Sequence, residues 1–234
     1  MYGDKGRIAL LRPGVTPSTE MDFHTHLPEG YALSTWGVEY DGATLEGLQK
    51  MSERVRICAE QYKGFPIDIM VFACTTGSMI GGPGYDKKLI GQMETASGIP
   101  ALTTTTALLD AFETLGIRKL SIVTPYTKPL NAMEKAFLAS EGIETAAISG
   151  LDREFDIPFT RPEEMQELAL RQGVCGADAV FLSCTGICAI PAIEPLEETL
   201  GVPVLSSNQA TIWSALRRIG YKETLPGLGM LGRN

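Results

Sequence analysis

Apolar residues along this chain collect in short, largely β-branched runs that stop at proline, threonine, serine or glycine. Ile8–Leu11 runs into Arg12-Pro13, Ile69–Ala73 into Cys74-Thr-Thr-Gly77, Leu120–Val123 into Thr124-Pro125, and Ala179–Leu182 into Ser183-Cys-Thr-Gly186. Runs of this length, apolar at consecutive positions, predict parallel strands buried on both faces. Between them the apolar spacing changes to three and four. Leu45, Leu48, Met51, Val55, Cys58 and Tyr62 trace one helical face. Leu108, Ala111, Phe112 and Leu115 run into Gly116, and Ile212, Trp213, Leu216 and Ile219 into Gly220, each a helix with a terminating glycine. Thr160-x-x-Glu163, with Pro162 inside it, predicts a capping box opening another helix.

The pattern occurs twice. Lys5–Pro13 parallels Ile117–Pro125, Asp68–Gly77 parallels Asp178–Gly186, and Gly98–Thr104 parallels Gly201–Ser207, in the same order. Two copies of one α/β unit follow, each a parallel sheet covered on both faces. Residues 1–104 with 206–234 are expected to form a lobe carrying Cys74, and residues 105–205 a second lobe carrying Cys184. Ligands in such sheets bind beyond the carboxyl ends of the strands. Six strand tips therefore surround the expected cleft: 12–16, 74–78, 103–106, 125–127, 184–187 and 206–209. Cys74 and Cys184 are equivalent residues of the two copies and should face one another across it.

Composition narrows the partners. Of 234 residues 44% are hydrophobic and 21% charged, and the net charge of −8 opposes a nucleic-acid backbone while leaving a small anion open. The opening residues lack an apolar signal core, and no stretch holds the ~20 apolar residues a membrane span needs. A cytoplasmic location with reduced cysteines is expected. The five cysteines contain no Cys-x-x-Cys, and His24 and His26 stand far from Cys184-x-x-x-Cys188, so neither a metal nor another cofactor is expected.

Two thiols on opposite sides of one carbon can do what one cannot. One removes a proton or attacks a double bond as thiolate; the other delivers a proton to the opposite face. Charge growing on the substrate carboxylate then needs fixed donors. Backbone N–H groups where strand turns to helix supply them at Thr75, Thr76, Gly77 and Ser78, and at Thr185 and Gly186. The same N–H groups are expected to lower the thiol pKa values. A free cysteine is more often a small buried hydrophobe, and Cys58 and Cys175 are read that way; Cys188 stays unassigned. Packing does not explain the match of Cys74 with Cys184. Tyr126 could reach the cleft as a donor or be a packing ring. Gly81-Gly-Pro-Gly84 reads as a loop, Asn208 and Gln209 as helix caps or substrate donors, and His24 and His26 as surface loop, with 20–26 a possible cover for the cleft.

Val15–Met21, Ala73–Gly77, Gly81–Gly84, Val123–Leu130, Leu182–Gly186, Gly201–Val204, Ser206–Ala210 and Pro226–Gly229 together resemble the aspartate/glutamate racemase superfamily. Within it the likeness is to the maleate cis-trans isomerase, ectoine-utilisation and arylmalonate decarboxylase members. That resemblance implies two pseudo-symmetric, Rossmann-like four-stranded α/β domains, no cofactor or metal, and a homodimer or higher homo-oligomer. It also implies that Cys74 attacks or deprotonates and that Cys184 is its acid partner. Tyr126, Thr75 and Thr76 would hold a substrate carboxylate, with Thr185 and Gly186 opposite and Gly14 at the substrate-binding position where maleate isomerases carry asparagine. The Thr75-Thr76 pair looks more like the decarboxylase and ectoine-utilisation members. The decarboxylases, however, have glycine where this chain has Cys74. The expected activity is a two-cysteine isomerisation or racemisation of a small carboxylate, maleate cis-trans isomerisation foremost. An Asp/Glu-type racemase, an arylmalonate-type decarboxylase and a non-catalytic acid-binding protein are the alternatives.

Overall fold

All four side chains of Ile69–Phe72, and all four of Ala179–Leu182, are buried, as strands covered on both faces by helices must be. They are the third and seventh of eight strands in the computed structural model, which describes residues 2–234. The first half contains β1 (Gly6–Pro13), α1 (Pro17–His26), β2 (Tyr31–Val38), α2 (Leu45–Glu60) and β3 (Ile69–Phe72). It continues with α3 (Thr75–Met79), α4 (Tyr85–Ser97), β4 (Ala101–Thr103) and α5 (Thr104–Thr114). The second half contains β5 (Lys119–Tyr126), α6 (Lys128–Ser140), β6 (Glu144–Arg153), α7 (Pro162–Gln172) and β7 (Ala179–Leu182). It ends with α8 (Ile193–Leu200), β8 (Val204–Ser206) and α9 (Ser207–Arg218).

The strands form two four-stranded sheets, ordered β2-β1-β3-β4 and β6-β5-β7-β8, with every pairing parallel. The protein is thus α/β with the same topology twice. Part of the sequence repeat has a direct cause in backbone hydrogen bonding. The Asp68 carboxylate accepts the Arg7 N–H at 2.7 Å, and its counterpart Asp178 accepts those of Arg118 and Lys119, each at 2.8 Å. Each aspartate satisfies N–H groups where its lobe's first strand begins, beyond the reach of the neighbouring ladder.

The two lobes meet through α5 and α9. Thr211 donates to Thr104 at 3.1 Å, while Ser214 and Arg218 both reach Asp110. This packing puts the tips after β4 and β8 at the back of the junction. The capping box of α7 lies one residue later than predicted, with the Glu164 carboxylate accepting the Arg161 N–H at 2.9 Å. His24 and His26 lie in the last turn of α1 rather than in a loop. Cys175 is exposed on a turn with φ 53°, so it is no core residue. Gln209 is a capping residue for Ser206, whereas Asn208 neither caps nor lines the cleft.

Candidate active site

A cavity of about 350 Å³ opens between the lobes at the carboxyl ends of β1, β3, β5 and β7. Cys74, Thr76, Tyr126, Cys184, Thr185 and Gly186 line it together with Pro13, Val15 and Thr16. Both cysteines are buried, 5% and 6% exposed, and both belong to this one cavity.

Local geometry aims each thiol. Cys74 is the N-cap of α3, and its Sγ accepts the Gly77 N–H at 3.3 Å. A Cβ on Gly77 would stand 2.9 Å from that sulfur and 2.7 Å from the Met51 methyl, so only glycine fits behind the thiol. Gly77→Ala is therefore expected to cost about 1–3 kcal/mol through overpacking, against the gain alanine ordinarily brings to a helix. A melting temperature equal to or above wild type would contradict this. Cys184 sits at φ 151°, a conformation costly for a residue with a Cβ. Its Sγ accepts the Gly186 N–H at 3.2 Å, and its own N–H donates to the Ser207 hydroxyl at 3.1 Å. One hydrogen bond joins the two thiol-bearing turns directly, Thr185 donating to the Ala73 carbonyl at 3.2 Å, and Ser207 bridges them, its hydroxyl accepting Thr75 at 2.8 Å as well as the Cys184 N–H.

Tyr126 follows an irregularity in the β5–β6 pairing. The Thr124 hydroxyl accepts the Tyr126 N–H at 3.0 Å and donates to Asn131 at 2.6 Å, fixing the end of the strand. The phenol faces the Cys184 sulfur as a donor, and burial together with the neighbouring thiols and Glu134 holds its own pKa well above the usual value.

The thiols are not activated in the way the sequence suggested. Burial pushes Cys74 up to about 12, although the Gly77 N–H and the Thr76 hydroxyl pull the other way. Burial pushes Cys184 up to about 11 against three donors: the Tyr126 hydroxyl and the Gly186 and Ile187 N–H groups. Helix-start N–H groups do favour thiolate, but desolvation in a cavity without a cation outweighs them. No Lys or Arg lines the cavity, whereas Asp41 and Glu154 do. Of the strand-end cations beside lining residues, Arg12 is taken up by Glu20 at 2.9 Å and by the Gly14 carbonyl, and Arg153 by Glu164 at 2.7 Å.

Of the residues singled out from the sequence, Cys74, Cys184, Thr76, Tyr126, Thr185 and Gly186 share the cavity wall. Thr75 and Gly14 do not. The Thr75 hydroxyl is turned into the lobe junction towards Ser207, and Gly14 at φ 41° packs beside Tyr40. The tips at 103–106 and 206–209 also stay behind the site, where Thr105 bonds to Ser78 and the Ser207 hydroxyl accepts the Cys184 N–H. The opposite wall comes from two loops that sequence reading did not single out. Tyr40, Asp41 and Gly42 follow β2, and Glu154, Phe155, Ile157 and Pro158 follow β6. The loops touch where the Ala43 N–H reaches the Glu154 carbonyl at 3.4 Å. Among the described residues no group of three or more His, Cys, Asp or Glu side chains is arranged to hold a metal ion, and no helix is long and apolar enough to cross a membrane.

Comparison with known proteins gives a consistent neighbourhood. The family model for arylmalonate decarboxylase matches residues 14–232. A maleate isomerase of Geobacillus stearothermophilus is 31% identical over 93% of this chain and 94% of its own. An arylmalonate decarboxylase of Bordetella bronchiseptica is 28% identical over 97% and 95%. Among solved structures, a liganded double mutant of arylmalonate decarboxylase superposes with a TM-score of 0.89 at 26% identity, covering 97% of this chain and 98% of that one. A maleate cis-trans isomerase mutant of Nocardia farcinica, carrying a covalently bound succinylcysteine intermediate, shares the fold with a TM-score of 0.92 at 22% identity and the same coverage.

Proposed function

The chain belongs to the arylmalonate decarboxylase family, and from that membership we propose that it is a cofactor-independent isomerase acting on a small carboxylate through Cys74 and Cys184, in the manner of a maleate isomerase. One observation carries the reading: two thiols at equivalent strand ends of the two lobes face one cavity. Decarboxylation with proton delivery from one side needs a single thiol, whereas isomerisation uses both.

The reactive pair holds one proton. The Cys74 thiolate adds to one carbon of the double bond, the π electrons move onto the conjugated carboxylate, and the Cys184 thiol protonates the adjacent carbon. Rotation about the new single bond follows. The Cys184 thiolate then removes the proton and the Cys74 sulfur leaves with its electron pair, so the thiols end as they began. When the carboxylate enters, the Thr76 and Tyr126 hydroxyls and the Gly186 N–H turn to it from the thiol sulfurs, and Thr185, whose hydroxyl is held by Ala73, offers its N–H; the charge they meet grows at the addition step.

Both thiols lie above their usual pKa, and the step needs one of them ionised. The rate is therefore limited by the thiolate fraction, and kcat/KM should rise about tenfold per pH unit between pH ~6 and ~9. A flat profile across that interval would show that no thiolate forms in the limiting step.

A second reading has its own support. Val15, Tyr40, Phe155, Ile157 and Pro158 give the cavity an apolar wall, with Asp41 and Glu154 at its acidic side and no cation. That lining favours a single carboxylate bearing an apolar substituent over a compact dianion. The same thiol pair would then exchange the proton on the carbon beside the carboxylate, a racemisation. Proton NMR in D₂O with maleate and a panel of 2-substituted carboxylic acids separates the readings. Loss of the maleate vinyl signal with growth of fumarate supports isomerisation; deuterium entering the α carbon without net change supports racemisation. Release of CO₂ from a substituted malonate, with neither of the others, would overturn both.

A further inference from the structure

Glu134, on α6, is fully buried, and the cavity chemistry described so far makes no use of it. One carboxyl oxygen accepts the Ser183 hydroxyl at 2.6 Å; the other has no hydrogen-bond partner. Ser183 immediately precedes Cys184. A buried carboxylate with a single hydroxyl donor is costly, so the group carries its proton more firmly than an ordinary glutamate. Burial raises it to about 7, with the Ser183 hydroxyl pulling back only part of the way.

The surroundings of Glu134 restrict what its charge can affect. Helix α6 packs against β5, β6 and α3. The charged or titratable side chains of these elements are Lys119 and Tyr126 on β5 and Glu144, Asp152 and Arg153 on β6, with none on α3. Lys119 is paired with Glu144, and Arg153 with Glu164. Tyr126, and Cys184 from the turn after β7, are the groups whose ionisation a charge on Glu134 opposes.

The arrangement is one-sided. Asp22 is the counterpart of Glu134 in the first copy; each lies nine residues after the matching proline of the repeat, Pro13 or Pro125. Asp22 does not serve Cys74, whose preceding residue is Ala73 and offers no hydroxyl. Its carboxylate accepts the Asn208 amide at 2.7 Å, and that amide also reaches the Thr185 carbonyl at 3.0 Å. Both buried acids thus bear on the segment 183–185, and neither bears on the turn of Cys74. A backbone as unfavourable as that of Cys184 persists only where its neighbours over-determine it.

We propose that Glu134 is a positioning and charge-setting residue for Cys184: it ties down the strand end through Ser183, and its negative charge opposes ionisation of the Cys184 thiol. Cys184 receives three donors where Cys74 receives two and is the lower of the two thiols, about 11 against about 12, so it is the one whose ionisation an opposing charge has to hold back. Glu134 ionises first as the pH rises, and the negative charge it then carries opposes a second one nearby. That shift is in the direction that the acid of the pair requires. In that respect the inference rests on the two-thiol reading.

The test needs no substrate and so is separate from whether maleate or any other acid is turned over. The pH dependence of iodoacetamide alkylation is followed at each cysteine by peptide mass in wild type, Glu134→Gln and Ser183→Ala. Glu134→Gln keeps the shape and one acceptor but cannot ionise. The midpoint for Cys184 should fall by about one unit or more, with a smaller change at Cys74 and at Ser183→Ala. An unchanged Cys184 midpoint in a Glu134→Gln protein that melts like wild type would overturn the proposal. If that variant does not fold, the ¹³C carboxyl resonance of Glu134 in the wild-type protein decides. Titration near neutral pH supports the proposal, and titration in the ordinary carboxylate range overturns it.

Discussion

Turnover by Cys74→Ser is expected to fall on the order of 10³-fold or more, and turnover by Cys184→Ser to fall as far. A serine hydroxyl occupies nearly the same space and can still accept the Gly77 or Gly186 N–H, so the fold should hold while the nucleophile or acid is lost. Members of one catalytic unit are not additive, and the double variant should be little worse than either single one. Cys58→Ser and Cys175→Ser serve as controls, being on a helix face and an exposed turn away from the cavity, and should lose little activity. Full activity in Cys74→Ser would refute the two-thiol mechanism and favour proton delivery by Cys184 alone.

Tyr126→Phe is expected to lower the rate by ~10²–10³-fold, the usual loss when one fixed donor to developing charge is removed. The phenol is buried at 3% exposure and faces the Cys184 sulfur, so the change removes a donor to the thiol as well as one to the substrate. The ring itself remains, and packing at the end of β5 should survive with a melting temperature near that of wild type. A Tyr126→Phe enzyme with an unchanged rate would assign the residue to packing and leave Thr76, Thr185 and Gly186 to hold the carboxylate.

The fold was largely legible because consecutive apolar runs have few alternatives. The runs ending at Pro13, Cys74, Pro125 and Cys184 could be compared pairwise and shown to repeat. The edge strands β2 and β6 carried no such signal. Tyr31–Val38 is only partly covered, with Trp36 44% exposed, and its composition resembles a loop until β1 is there to pair with it. The apolar wall of the site was hidden for the same reason. Tyr40 and Phe155 sit in loops beyond these edge strands, and only the apposition of two lobes brings them to one cavity.

Within the legible part, the sequence could not say which way adjacent side chains point. Thr75 and Thr76 look interchangeable as letters, but successive residues of a helix project about 100° apart. One enters the cavity and the other faces Ser207. The thiol pKa values were misjudged because helix-start N–H groups are visible in a strand–Cys–Thr pattern, whereas the depth of burial that outweighs them is a tertiary property. The roles of Glu134 and Asp22 were hidden likewise. Each is a polar letter in a helix, and only the packing of α6 and α1 makes it a buried acid beside segment 183–185.

The most direct measurement is the mass of the Cys184→Ser protein after incubation with maleate, followed by peptide mapping. With Cys74 intact and its acid partner weakened, the addition step can still occur while return through elimination is slowed. The protein should gain the mass of one maleic acid, located on the peptide that contains Cys74. No adduct, or an adduct on Cys58, Cys175 or Cys188 in its place, would contradict a mechanism in which Cys74 adds to the double bond and Cys184 completes the step.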